Sequence, residues 1–230
     1  MKYKILQDEK NGKNPRPWRS KKVRSLILAD SLYRLDQNKR ATRIWWCSST
    51  LGFKADLETN RKSLYLANFC RERLCPMCQW RKSLKVFYQV SKVMDKVREQ
   101  HDNLVQIFLT LTVKNCFEKE LLNNLDMIFQ GWYQLTKHRK IKRITHGWFR
   151  ALEVTYNARN NTYHPHFHVL MAVNSSFFTN RTYIKQKEWL ELWRSVMKDN
   201  SITQVDVRKV AYGRNNDKYV IDGEVKSPAN

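Results

Sequence analysis

Tyr163-His164-Pro165-His166-Phe167-His168-Val169-Leu170-Met171 holds three of the chain's six histidines within five positions. His166 and His168 flank one bulky apolar residue, and an apolar run follows. In a β-strand, residues i and i+2 point to the same face. Both imidazoles therefore leave one side of a strand, about 6–7 Å apart along it. A strand offers two nitrogen ligands to one metal ion in this way. His164 shares the face by alternation, but it precedes Pro165 at the strand entrance and is left out of the ligand set.

The segments around this strand give it neighbours. Gly147-Trp148-Phe149-Arg150-Ala151-Leu152-Glu153-Val154-Thr155 reads as a strand, and Asn157-Ala158-Arg159-Asn160-Asn161 as the turn of a hairpin. A regular hairpin sets Glu153 and Thr155 opposite the His166/His168 region. Glu153 is one acid amid apolar residues, and a partly buried carboxylate needs a counter-charge. A metal between Glu153, His166 and His168 supplies it; an ion pair with one of the many Lys or Arg residues is the alternative. Leu104-Val105-Gln106-Ile107-Phe108-Leu109-Thr110-Leu111-Thr112-Val113 is a nearly continuous apolar, β-rich run, expected as a central strand. It meets solvent at Lys114-Asn115-Cys116.

Cys70-Arg71-Glu72-Arg73-Leu74-Cys75-Pro76-Met77-Cys78 is a second constellation. The Cys75-x-x-Cys78 turn lets two thiolates face one ion. Cys70 lies just upstream, and Cys47 is the candidate fourth ligand. Four thiolates suit tetrahedral Zn²⁺. A redox Cys-x-x-Cys pair and unrelated buried cysteines are the alternatives, although no thioredoxin-like βαβ setting surrounds the motif. Cys116, the fifth cysteine, is expected to be a free thiol.

Helical spacing of apolar residues predicts a short helix over Leu26–Leu35 and longer ones over 79–100, 118–137 and 185–199. Ile44-Trp45-Trp46 reads as a strand-like run, and Gln204–Val210 as an alternating strand. The sequence turns polar after Tyr212. Three segments are expected: a basic flexible arm over 1–25, a Cys-rich zinc-knuckle region and helix over 26–100, and a core over 101–230. The arm carries Gly12, Pro15 and Pro17 among its Lys and Arg residues; it either lies on phosphates or is a solvated tail.

The formal charge of +22, from 43 Lys and Arg against 21 Asp and Glu, calls for a polyanionic partner, nucleic acid before an anionic membrane. No segment approaches the roughly 20 apolar residues of a membrane span, and no apolar signal core opens the chain. A cytoplasmic protein is expected, in which cysteines serve metals or stay free rather than pair.

Phe108-Leu109-Thr110-Leu111-Thr112-Val113-Lys114-Asn115 resembles the first motif of plasmid rolling-circle replication initiators. His166-Phe167-His168 resembles their second, the His-hydrophobe-His signature of the HUH endonucleases. Pro17-Trp18-Arg19, Leu74-Cys75-Pro76-Met77-Cys78-Gln79-Trp80-Arg81 and Arg150-Ala151-Leu152-Glu153-Val154-Thr155 resemble the branch found on small plasmids of Gram-positive bacteria. The resemblance implies an α+β fold: an antiparallel sheet of ferredoxin- or RRM-like HUH type with flanking helices, here with a small Cys-rich zinc-binding element. It implies nicking and joining of single-stranded or hairpin origin DNA, in which a tyrosine hydroxyl attacks the scissile phosphodiester. Glu153, His166 and His168 match the family's ligands for Mn²⁺ or Mg²⁺, and Thr110, Thr112, Lys114 and Asn115 are implied DNA contacts. Host helicase and polymerase are implied partners.

The family places its tyrosine on a helix within a Lys-Tyr-x-x-Lys-like pattern after the metal strand. The nearest match is Lys218-Tyr219-Val220-Ile221-Asp222, which lacks the second Lys and sits among helix-disfavouring residues. Tyr219 is thus the fallback nucleophile, ahead of Tyr212, and the family's tyrosine helix is expected beyond Asn230. A non-catalytic, zinc-containing DNA-binding protein and a basic RNA-binding protein are the competing readings.

Overall fold

The computed structural model describes residues 7–8, 16–59, 62–212, 219–221 and 224–226, with side chains described up to Val210. The chain divides into two compact units, with the boundary at Lys92/Val93.

The first unit contains α1 (Trp18–Arg34), α2 (Asn38–Trp45), the antiparallel pair β1 (Leu51–Ala55) and β2 (Lys62–Ala67), and the start of α3 (Pro76–Gln100). Its core gathers Trp18, Ala29, Leu32, Ala41, Ile44, Cys47, Cys75 and Met77. Two expectations change here. The helix expected from Leu26 begins at Trp18, so the arm expected over 1–25 is helical from that residue on; residues 1–6 and 9–15 lie outside the described residues. Pro17 sits just before the helix, where a missing N–H costs nothing. Trp18 is buried and packs edge-on against Trp80, with ring centroids 4.7 Å apart. Ile44-Trp45-Trp46, read as strand-like, instead ends α2. Ala41 and Ile44 are buried one helical turn apart, while Trp45 and Trp46 are exposed. The 3.6-residue period overrides the β-propensity of the three bulky side chains.

The second unit is built on a four-stranded sheet. Its elements follow one another as β3 (Leu104–Thr112), α4 (Glu118–Lys137), α5 (Arg139–Ile144), β4 (Thr145–Asn157), β5 (Thr162–Asn174), α6 (Gln186–Met197) and β6 (Val205–Lys209). The spatial order is β4-β5-β3-β6, and every neighbouring pair is antiparallel. β3 and β4 flank β5, and β5 and β6 flank β3. These are two interlocked split β-α-β units, the ferredoxin-like arrangement. β3 is central, as its unbroken apolar run requires.

Alternation sorts the sheet into two faces. Ile107, Leu109 and Leu111 of β3 and Phe167, Val169 and Met171 of β5 are fully buried against Ile128, Trp132 and Leu135 of α4 and Trp189 and Trp193 of α6. The Trp193 Nε1–H donates to the Thr112 carbonyl at 2.7 Å, which ties α6 to the end of β3. His166, His168, Thr110 and Thr112 occupy the opposite face. Beyond β6 lies a small three-stranded sheet of β7 (Ala211–Tyr212), β8 (Tyr219–Ile221) and β9 (Glu224–Lys226). None of the described helices is long and apolar enough to cross a membrane.

The two helices approach closely at Gly131, which is buried in α4. A Cβ there meets the Met197 Sδ and lies 3.4 Å from Trp193 Cη2. Helix propensity alone favours Ala over Gly by about 1 kcal/mol, but any Cβ must displace Met197, and a branched side chain must displace it further. Gly131→Val should lower unfolding stability by about 1–3 kcal/mol in urea melts. Met197→Ala in the same chain should recover part of that loss.

Candidate functional site

The site forms because β5 runs between β3 and β4 in one fixed register. Glu153 of β4 pairs with His166 of β5, which pairs on its other side with Thr112 of β3. Ala151, His168 and Thr110 form the next row on the same face. The hairpin thus pairs Glu153 with His166, as the alternation implied. Pro165 has no N–H to give a ladder. The β3–β5 ladder stops at Thr112↔His166 and resumes only as an isolated bridge, Cys116↔Tyr163. Through that gap the chain at Val113, Lys114 and Asn115 swings out. With Thr112, His164 and Ser201 to Gln204 it lines a cavity of about 440 Å³.

The ligand atoms of Glu153, His166 and His168 lie within 4.8 Å of one another. Glu153 Oε2 is 3.1 Å from His168 Nε2 and 3.6 Å from His166 Nε2. The far nitrogen of each ring is engaged elsewhere: His166 Nδ1 is 3.2 Å from the His164 carbonyl, and His168 Nδ1 is 3.3 Å from Thr110 Oγ1. A carbonyl can only accept, so His166 carries its proton on Nδ1 when neutral. The same tautomer at His168, with Thr110 accepting, turns both Nε2 lone pairs toward the carboxylate. Three acceptors facing one another require a cation between them or a proton on a ring. The donor set, two imidazoles and one carboxylate, can hold a divalent cation with positions left over for other oxygens.

One detail differs from expectation. Glu153 is not buried: its side chain is 53% exposed, because β4 is an edge strand. Its need for positive charge comes from convergence with the imidazoles rather than from desolvation. Thr110 and Thr112, expected as DNA contacts, each have an internal partner. Thr110 faces His168, and the Thr112 hydroxyl donates to the Gln204 carbonyl at 2.7 Å. Lys114 and Asn115 reach the cavity wall. His164 is held below the ordinary imidazole value, first by burial and then by the neighbouring His166. Tyr219 opens strand β8 rather than a helix, and its side chain and that of Tyr212 lie outside the described residues.

The second cluster lies in the first unit. The sulfurs of Cys47 and Cys78, and of Cys70 and Cys78, are 3.6 Å apart; those of Cys75 and Cys47 are 3.7 Å apart. A tetrahedron with Zn–S bonds of about 2.3 Å places its sulfurs about 3.8 Å apart. The separations fit one ion inside the cluster and are far too long for disulfides. All four cysteines, and Cys116, are free. The knuckle geometry is visible in the backbone. Ser48 and Arg71, the residues after Cys47 and Cys70, take φ of 53° and 60°. The Cys70 N–H then points at Cys47 Sγ at 3.4 Å and the Arg71 N–H at Cys78 Sγ at 3.3 Å.

The sulfurs polarise one another. Cys75 is drawn down to about 4, chiefly by the Cys47 thiol hydrogen-bonded to it, and the same bond raises Cys47. Burial pushes Cys70 up to about 12. Without a cation Cys47, Cys70 and Cys75 oppose one another's ionisation, and a divalent cation would remove that conflict. Sequence reasoning missed Ser25, which is fully buried in α1 with its Oγ 3.5 Å from Cys75 Sγ. It missed Lys22 as well, whose Nζ donates to the Cys47 carbonyl at 2.7 Å. Neither has a local signal, since the partners lie 25 and 50 residues away.

A family model described as "Replication protein" matches residues 61–226. The chain belongs to this family. It is 40% identical over 215 residues to "Protein rep" of Bacillus amyloliquefaciens, covering 90% of this chain and 63% of that one. It is 39% identical to a "Protein rep" of Streptococcus pneumoniae, covering 90% of this chain and 65% of that one. A "Protein rep" of Staphylococcus aureus is 38% identical over 207 residues, with 90% of each chain covered. The chain therefore spans less than two thirds of the first two relatives and nearly all of the third. No solved structure matches.

Native mass spectrometry of the purified chain should find one zinc, released on acidification because falling pH protonates the thiolates. Cys75→Ser should lose that zinc and lower the melting temperature. At the other centre, Thr110→Val removes the oxygen that orients His168. Mn²⁺ affinity, measured by titration calorimetry, should fall about 10- to 100-fold while the zinc content stays unchanged.

Proposed function

We propose that this replication protein initiates plasmid replication by nicking and rejoining single-stranded origin DNA at the Glu153/His166/His168 centre. The observation that carries the reading is the convergence of three acceptor atoms on the sheet face opposite the helices, in a chain of charge +22. A divalent cation held by these residues supplies positive charge to the non-bridging oxygens of a phosphodiester as charge builds there. The chain's own residues do the rest. The His164 carbonyl and Thr110 fix the two rings, and β4 presents Glu153 at an open edge that a nucleic-acid strand can reach. Lys114 and Asn115, at the cavity beside the centre, contact the strand next to the scissile phosphate. In the transesterification a tyrosine oxygen bonds to phosphorus, the 3′ oxygen leaves and takes up a proton, and a 5′-phosphotyrosine remains. Tyr219 is the candidate within this chain. The Cys47/Cys70/Cys75/Cys78 cluster holds zinc in a structural role, since all four donors come from protein and leave no open position. In this reading the partners are the origin hairpin and the host helicase and polymerase, in the bacterial cytoplasm.

A second reading rests on the strand conformation at Tyr219: the chain occupies the origin without cutting it. The test is incubation with a single-stranded origin hairpin and Mn²⁺. The nuclease reading expects a free 3′-OH and a covalent adduct on a tyrosine peptide, reduced at least about 100-fold in His166→Ala. Hairpin binding without any adduct selects the second reading. Equal cutting by His166→Ala contradicts the metal assignment.

A further inference from the structure

The row of residues next to the two metal rows has no role in the chemistry above. On the same face, Phe149 of β4 pairs with Leu170 of β5, Leu170 stands opposite Phe108 of β3, and Phe108 opposite Arg208 of β6. The cross-strand sequence Phe149-Leu170-Phe108-Arg208 thus runs across the whole sheet. Phe149 is 40% exposed although large and apolar. Phe108 lies nearly parallel to the His168 ring, with centroids 5.4 Å apart and planes at 23°, so the row abuts the metal centre directly. Arg208 closes it, ion-paired to Asp206 at 2.7 Å. Helices α4 and α6 pack on the other face.

We infer that this row is a base-stacking platform for single-stranded DNA, with Phe149 as its exposed ring. The inference rests on the proposed substrate and names how bases, rather than phosphates, are held. Phe149 and Glu153 are four residues apart on one strand, about 13 Å, a span that a few nucleotides of single strand cover. A strand whose phosphate lies at the centre therefore lays a nearby base over the platform. Flat apolar rings on an open antiparallel sheet offer a π-face that any base can use, with a guanidinium alongside for the backbone. The charge of +22 suits a polyanion better than a second, equally basic copy of this chain.

The probe is a fluorescein-labelled oligothymidine compared with an abasic oligonucleotide of equal length, which keeps the phosphates and removes the bases. The wild-type chain should prefer the thymidine strand about 10- to 100-fold by anisotropy. Phe149→Leu, which keeps apolar bulk without a flat ring, should erase that preference, and Phe149→Tyr should retain it. Mn²⁺ titration of Phe149→Leu should match wild type, which separates the platform from the metal centre. If nicking or Mn²⁺ binding is absent in every chain, the nuclease reading fails while the base preference still judges the platform. A preference that persists in Phe149→Leu overturns the inference. If that variant instead loses concentration-dependent self-association in light scattering, the row belongs to a second copy of the chain.

Discussion

The register of β5 between its two neighbours is the constraint on which the rest of this molecule depends. Side chains alternate with a period of two, so a shift of one residue would send every ring on one face to the other. In the observed register Phe167, Val169 and Met171 fill the core, and His166 and His168 are left on the opposite face as a consequence. The buried apolar residues therefore hold the imidazoles in place. The neighbouring strands then supply what two histidines lack: a carboxylate from β4 and an orienting hydroxyl from β3. Pro165 adds the last piece by interrupting the ladder, so that the end of β3 opens into a cavity beside the centre.

The two units solve the same problem with different means. The second has a sheet with helices on one face and buries many large side chains. The first has a small core in which two of eight members are cysteines. Domains that small need a staple, and four sulfurs at tetrahedral spacing suit one. Ser25 and Lys22 bind α1 to that cluster, so the helix begun by Trp18 is held at both the aromatic and the sulfur side.

The parts that were legible in the sequence are those governed by local period. The His strand, the Glu153 strand and their Asn-rich turn could be read from alternation, and the helix over Glu118–Lys137 from its apolar spacing. The cysteine spacing pointed to one cluster because the chemistry of four thiolates is restrictive. Ile44-Trp45-Trp46 misled because bulky residues have β-propensity, whereas α2 needs only Ala41 and Ile44 to face the core. Glu153 was expected to be partly buried because nothing local says that β4 is an edge. The Phe149-Leu170-Phe108-Arg208 row could not be read at all, since it exists only after four distant strands are set in register.

Two donor sets, Glu153 with His166 and His168 and the four clustered cysteines, are each built to hold one cation. Anomalous diffraction from crystals grown with Mn²⁺, recorded at the manganese and zinc edges, tests this most directly. A manganese peak is expected within bonding distance of Glu153, His166 and His168, and a zinc peak inside the Cys47, Cys70, Cys75 and Cys78 cluster. A His site with no peak, its Glu153 carboxylate hydrogen-bonded to a protonated imidazole, would contradict it.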